Sequence, residues 1–145
     1  MKISFQTCRP GAVLPRRGSA QAAGLDLCAC LDAPLTILPG EIAMVPTGLR
    51  VELPAGTVGL LCGRSGLGVR YGITLANSVG VIDADYRGEI QVWLINLGKA
   101  PYTLMPGERC AQLLVVPVHF PQPQFAETLS DTARGEAGFG STGRM

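Results

Sequence analysis

A chain of 145 residues can bury the core of one domain. With 47% apolar and 16% charged residues it has none of the composition of a disordered chain. Twelve basic against eleven acidic side chains, a net charge of +1, argue against a protein whose main work is neutralising nucleic-acid phosphates, although a local site for a small anion stays open.

The chain opens with Ile3-Ser4-Phe5-Gln6-Thr7, where polar residues interrupt any apolar region of a secretory signal. Short apolar runs then follow at 25–31, 42–45, 48–53, 58–62, 73–75, 90–95, 102–105 and 110–117. Turn signals separate them at Pro10-Gly11, Pro39-Gly40, Pro54-Ala55-Gly56 and Pro106-Gly107. Runs of this length, bounded in this way, predict strands. In 89–95 the alternation puts Ile90, Val92 and Leu94 on one face and Glu89, Gln91 and Trp93 on the other. The single helix candidate is Ser65–Tyr71, weakened by its glycines. The late apolar stretch 113–118 contains Pro117 and is too short to span a bilayer.

The fold class expected is all-β, a jelly roll or sandwich with at most one short helix; composition leaves other Greek-key barrels open. The domain should cover 1–126. From 127 to 145 the chain is polar and glycine-rich, and a flexible C-terminal arm is expected there. On pattern alone, a frayed terminus and an arm that closes on a ligand fit that segment equally. Five cysteines without a CxxC pair, beside one histidine, read as reduced thiols of a cytoplasmic protein.

Two segments carry candidate chemistry. Gly63-Arg64-Ser65-Gly66-Leu67-Gly68 follows a strand and opens the helix, which combines a guanidinium, a hydroxyl and free amides as a phosphate cradle would. Gly80-Val81-Ile82-Asp83-Ala84-Asp85-Tyr86-Arg87-Gly88 reads as a β-hairpin with acids at its tip. Asp83 and Asp85 would point the same way. One could be a general base and the other could pair with Arg87 or another arginine, although a solvated acidic turn fits as well.

Taken in order, five segments resemble the motifs of the trimeric dUTPase family over nearly the whole chain. They are Ala23-Gly24-Leu25-Asp26-Leu27, then Gly63-Arg64-Ser65-Gly66-Leu67, then Asn77 through Gly80 to Ile90. The last two are Gly107-Glu108-Arg109-Cys110-Ala111-Gln112-Leu113 and Arg134-Gly135-Glu136-Ala137-Gly138-Phe139-Gly140-Ser141-Thr142-Gly143. Two departures are that Gly63 stands where the family often has proline, which would loosen that turn, and that Leu25 stands where tyrosine is frequent.

The resemblance implies a homotrimer with sites shared between subunits. It implies hydrolysis of dUTP to dUMP and pyrophosphate, which limits uracil in DNA and supplies dUMP for dTMP synthesis. Asp83 would be the base that activates water for attack on the α-phosphorus. Arg64, Ser65 and Gly66 would bind phosphates. Asn77 and the backbone of Gly80, Val81 and Ile82 would hydrogen-bond the uracil edge, Gln91 would contact substrate, and Tyr86 would pack on the deoxyribose. From the arm, Arg134, Ser141 and Thr142 would close on the γ-phosphate, while Phe139 and Gly140 cover the uracil. Mg²⁺ would be held by the three phosphates and reached through water by Asp26, while Gln112 would contact phosphate or the same water shell. No membrane or stable nucleic-acid partner is expected. Two rivals are a dCTP deaminase on a similar fold and a catalytically silent dUTP-binding regulator.

Overall fold

The computed structural model describes residues 2–138. Eleven strands and one helix follow in order: β1 (Ser4–Thr7), β2 (Leu25–Cys28), β3 (Leu35–Ile37), β4 (Ile42–Pro46), β5 (Leu49–Glu52), β6 (Thr57–Cys62), α1 (Ser65–Tyr71), β7 (Ile73–Leu75), β8 (Gly80–Ile82), β9 (Gln91–Asn96), β10 (Tyr102–Leu104) and β11 (Arg109–Pro117). Every apolar run named above holds a strand, and the helix spans the residues proposed for it. The turns work as the Pro-Gly pairs demand. Gly40 and Gly107 have φ of 81° and 76°, and each turn closes with an amide on the carbonyl three residues back, Glu41 to Leu38 and Glu108 to Met105, both at 3.0 Å.

Two strands had no legible signal. Among the described residues β1 is an edge strand that pairs only with β5, and it keeps most of its residues exposed, so burial imposes no alternation on it. β3 has three residues and sits between Pro34 and Pro39.

All strand pairings are antiparallel. Four strands run in the order β2-β11-β6-β8 and three in the order β4-β9-β7, with two-stranded pairs β1-β5 and β3-β10. The inward residues of all four sheets meet in one core, which includes Leu27, Val45, Leu49, Leu61, Val92, Leu94, Leu104 and Leu113. The result is an all-β, jelly-roll-like fold with one short helix. Alternation in β9 holds: Val92 and Leu94 are buried while Gln91 and Trp93 face outward.

The segment 80–88 departs from the hairpin expected of it. β8 pairs with β6, and β9 pairs with β4 and β7, so the strands flanking the turn belong to different sheets. The turn is a corner where the chain crosses the barrel. Arg87 also differs from expectation. Its guanidinium approaches Glu52 at 3.7 Å and donates to the carbonyls of Ala84 and Tyr86, and no ion pair to Asp83 or Asp85 forms among the described residues.

Beyond β11 the described chain holds no regular element, and residues 119–137 are exposed. No helix among the described residues is long and apolar enough to cross a membrane. All five cysteines are free. Cys110, fully buried, has its thiol pushed up to about 12 by burial, which leaves it an inert core side chain.

Candidate functional site

The expected site residues outside the C-terminal segment gather in two places. The first is a cavity of about 270 Å³ beside β8, lined by Asn77, Gly80, Val81, Ile82, Asp83, Tyr86 and Gln91. β8 ends the sheet order: one edge pairs with β6, and among the described residues the other is unpaired. Asn77 approaches through a tight turn in which Val79 donates to its carbonyl at 2.7 Å and Ser78 takes a φ of 64°. Asp83 is exposed at the rim, and its carbonyl accepts the Tyr86 amide at 3.1 Å. The Tyr86 ring lies so close over Gly88 that a Cβ there would collide with it. The Tyr86 hydroxyl donates to the Glu89 carbonyl at 3.0 Å.

Glu89 and Trp93 also line this cavity. Glu89 could not have been found from its spacing, because what marks it is a bond to a distant residue. Its Oε1 accepts Arg9 Nε at 2.7 Å and the Gly48 amide at 2.8 Å. The Arg9 hydrogen bond, aided by the Gly48 amide, holds this carboxyl below the usual glutamate range against the opposing effect of burial. Trp93 sits on the outward face that alternation assigns it.

The second cluster lies where β2, β11 and the start of α1 meet. Asp26 is held between two guanidiniums, with Arg64 Nε and Arg109 Nη1 each at 3.1 Å. Arg64 also donates to the Arg109 carbonyl at 3.3 Å. The first helical turn closes on the Arg64 carbonyl, which accepts the amides of Leu67 and Gly68. The exposed Ser65 and Gly66 therefore sit where a helix start leaves its amides without an intrahelical partner. Gln112 donates to the Gly63 carbonyl at 2.9 Å, so the glycine turn is anchored to β11. A Cβ on Gly24 would meet the Gln112 side-chain amide, which would have to turn aside.

Arg109 joins this cluster through a β-bulge. The register runs Arg109↔Cys28 and then Ala111↔Leu27, which leaves Cys110 as the extra residue. Simple alternation would put Arg109 and Gln112 on opposite faces. The extra residue restores them to one face, beside Asp26, while Cys110 and Ala111 are both buried.

The two clusters are separate within one chain. Ile82 pairs with Gly59, so Asp83 follows at the level of Val58, while Gly63 and Arg64 leave β6 at its far end. At ~3.3 Å per strand residue, the six steps from Val58 to Arg64 are roughly 20 Å of main chain. Arg134 reaches neither cluster; it is exposed and donates to the Ala137 carbonyl at 2.8 Å within its own turn. Phe139, Gly140, Ser141 and Thr142 lie outside the described residues.

The dUTPase family profile matches residues 11–143. A deoxyuridine 5'-triphosphate nucleotidohydrolase of Desulfitobacterium hafniense is 48% identical over 144 residues, covering 99% of this chain and 95% of that protein. The dUTPase of Staphylococcus bacteriophage 80alpha, solved with dUPNHPP, superposes with a TM-score of 0.91 at 28% identity over 98% of each chain. A mutant dUTPase from phage phi11 of S. aureus, described for the coordination of a structural Mg(II) ion, is similar in fold alone. Its TM-score is 0.80 at 23% identity, over 88% of this chain and 98% of that one. Profile, relatives and fold agree: the chain belongs to the dUTPase family.

Proposed function

We propose that this chain hydrolyses dUTP to dUMP and pyrophosphate. The observation that carries the reading is the cavity beside β8, where a free strand edge, Asn77, Gln91 and Tyr86 adjoin the exposed carboxylate of Asp83. A relative 48% identical bears the name of this reaction, and a similar structure was solved with dUPNHPP.

In this reading the main chain of Gly80, Val81 and Ile82, with Asn77 and Gln91, hydrogen-bonds the uracil edge. Cytosine reverses a donor and an acceptor there and would leave buried groups unpaired, a mismatch that can discriminate by about 10⁴–10⁵. Tyr86 packs on the deoxyribose and leaves no space for a 2′-hydroxyl. Asp83 orients a water toward the α-phosphorus and takes its proton. Arg64, Ser65 and Gly66 hold the phosphates with a guanidinium, a hydroxyl and amides. Arg134, Phe139, Gly140, Ser141 and Thr142 close over the nucleotide from the arm, 127–145, while 1–126 forms the barrel.

Among the described residues no three His, Cys, Asp or Glu side chains gather as a metal cage. Asp26 offers one carboxylate, already held by two guanidiniums. That donor set fits a Mg²⁺ carried by the substrate's phosphates and met through water by Asp26 and Gln112. Such an ion would supply charge neutralisation on the triphosphate.

The roughly 20 Å of strand between the levels of Asp83 and Arg64 favours a site assembled from neighbouring copies, as in a homotrimer. A cytoplasmic enzyme that keeps uracil out of DNA and furnishes dUMP for dTMP synthesis suits the five unpaired thiols and this chemistry. The test is pyrophosphate release from dUTP, dTTP, dCTP and UTP with and without Mg²⁺. Release from dUTP alone, strengthened by the metal, is the expected result. Ammonia from dCTP, or binding of dUTP without turnover, would replace this reading.

A further inference from the structure

The turn carrying Asp83 and Tyr86 has few ties to the barrel. On its entry side Ile82 pairs with Gly59. On its exit side Ile90 donates to the Leu49 carbonyl at 2.8 Å and accepts the Thr47 hydroxyl at 2.7 Å. Between them, among the described residues, the backbone bond is internal, from the Tyr86 amide to Asp83, and Arg87 donates inward to Ala84 and Tyr86. The Arg87–Glu52 pair is long and exposed and holds the turn weakly. Ala84 packs its small side chain against the core, and Glu89 supplies the turn's polar side-chain tie to the barrel.

Its fastening has two parts. The Gly48 amide reaches Oε1 from the barrel, and Arg9 reaches the same oxygen from a segment 80 positions away. The Arg9 segment is itself fixed, because the Cys8 amide donates to the Gly48 carbonyl at 2.8 Å. The Glu89 side chain is 14% exposed, against 46% for Arg9. Without Arg9, a nearly buried carboxylate would keep a single amide donor, and its relief is to swing toward water. The Glu89 carbonyl that receives the Tyr86 hydroxyl would then shift with it.

We propose that Arg9, through its ion pair with Glu89, is a positioning residue that sets where the Tyr86 ring stands and so how tightly the cavity wall fits the substrate's sugar. This rests on the dUTP reading of the cavity. Arg9 touches neither the cavity nor the reacting atoms, and it acts through Glu89.

Full-length Arg9→Met and Arg9→Lys are compared with wild type by dUTP and UTP turnover, and by amide hydrogen exchange across residues 84–90. In Arg9→Met the preference for dUTP over UTP should fall about tenfold, the range of one lost contact in a sugar-facing wall. Its kcat on dUTP should stay within about threefold, because the reacting groups are untouched. Exchange should quicken in the turn while the barrel keeps its protection. Arg9→Lys, which keeps the charge and a donor, should restore the preference. An unchanged preference in Arg9→Met overturns the proposal, as does faster exchange spread evenly over the barrel. If wild type releases no pyrophosphate from dUTP, the substrate reading fails by itself. Exchange then judges the clamp: quickening confined to the turn upholds it, and unchanged exchange overturns it.

Discussion

At Asp83 the carboxylate stands exposed at the cavity rim, without an ion pair among the described residues, so it is free to hold a water. Asn at this position keeps the size and can still accept a hydrogen bond, but it takes no proton. Asp83→Asn should therefore lose about 10²–10⁴ in kcat, the usual worth of a positioned base. Binding of a non-hydrolysable dUTP analogue, followed by calorimetry, should persist. Retained turnover would remove Asp83 from this role. At this scale the sequence was informative for side chains whose type is their chemistry, such as Asp83, Arg64 and Tyr86. It was silent on Glu89, Arg9 and Arg109, which act through partners 80, 80 and 83 positions away.

Strand β9 follows from alternation, because it buries one face and each side chain's direction has period two, while β5 and β6 were legible as short apolar runs. Elements that do not bury a face gave no such signal, as β1 shows at its exposed edge. The arm is a different kind of element. Residues 119–137 are exposed, and Phe120, Phe125 and Leu129 present apolar side chains without a core to enter. Such a segment contributes little to barrel stability. Ending the chain at Ala133 should leave the melting temperature nearly unchanged and remove most dUTP turnover, measured by thermal unfolding and pyrophosphate release on one preparation. Full turnover in the shortened chain would show that the arm is not a lid.

For the whole molecule, the separation of Asp83 from Arg64 makes a quantitative prediction. Asp83→Asn and Arg64→Ala should each be nearly inactive alone. Co-expressed, random assembly would leave about one site in four with both groups intact if neighbouring copies share the site. Activity near that fraction supports sharing, and none at all would place the whole site within one chain. Gel filtration of the wild type should give the mass of three copies.

What the sequence determined by itself was local. Strand-length apolar runs between Pro-Gly turns settle an all-β fold, because turn dihedrals and period-two burial depend on neighbours a few residues away. Five motif-like segments pointed to the family for the same reason. Tertiary structure alone decided how those segments meet. It gave β8 to β6 and not to β9, used Cys110 as the extra residue that brings Arg109 and Gln112 to one face, and tied the turn at 80–88 to Arg9 through Glu89. Pairing partner, register and bulge are set by competition among all strands for one core, and no window of the sequence contains that competition.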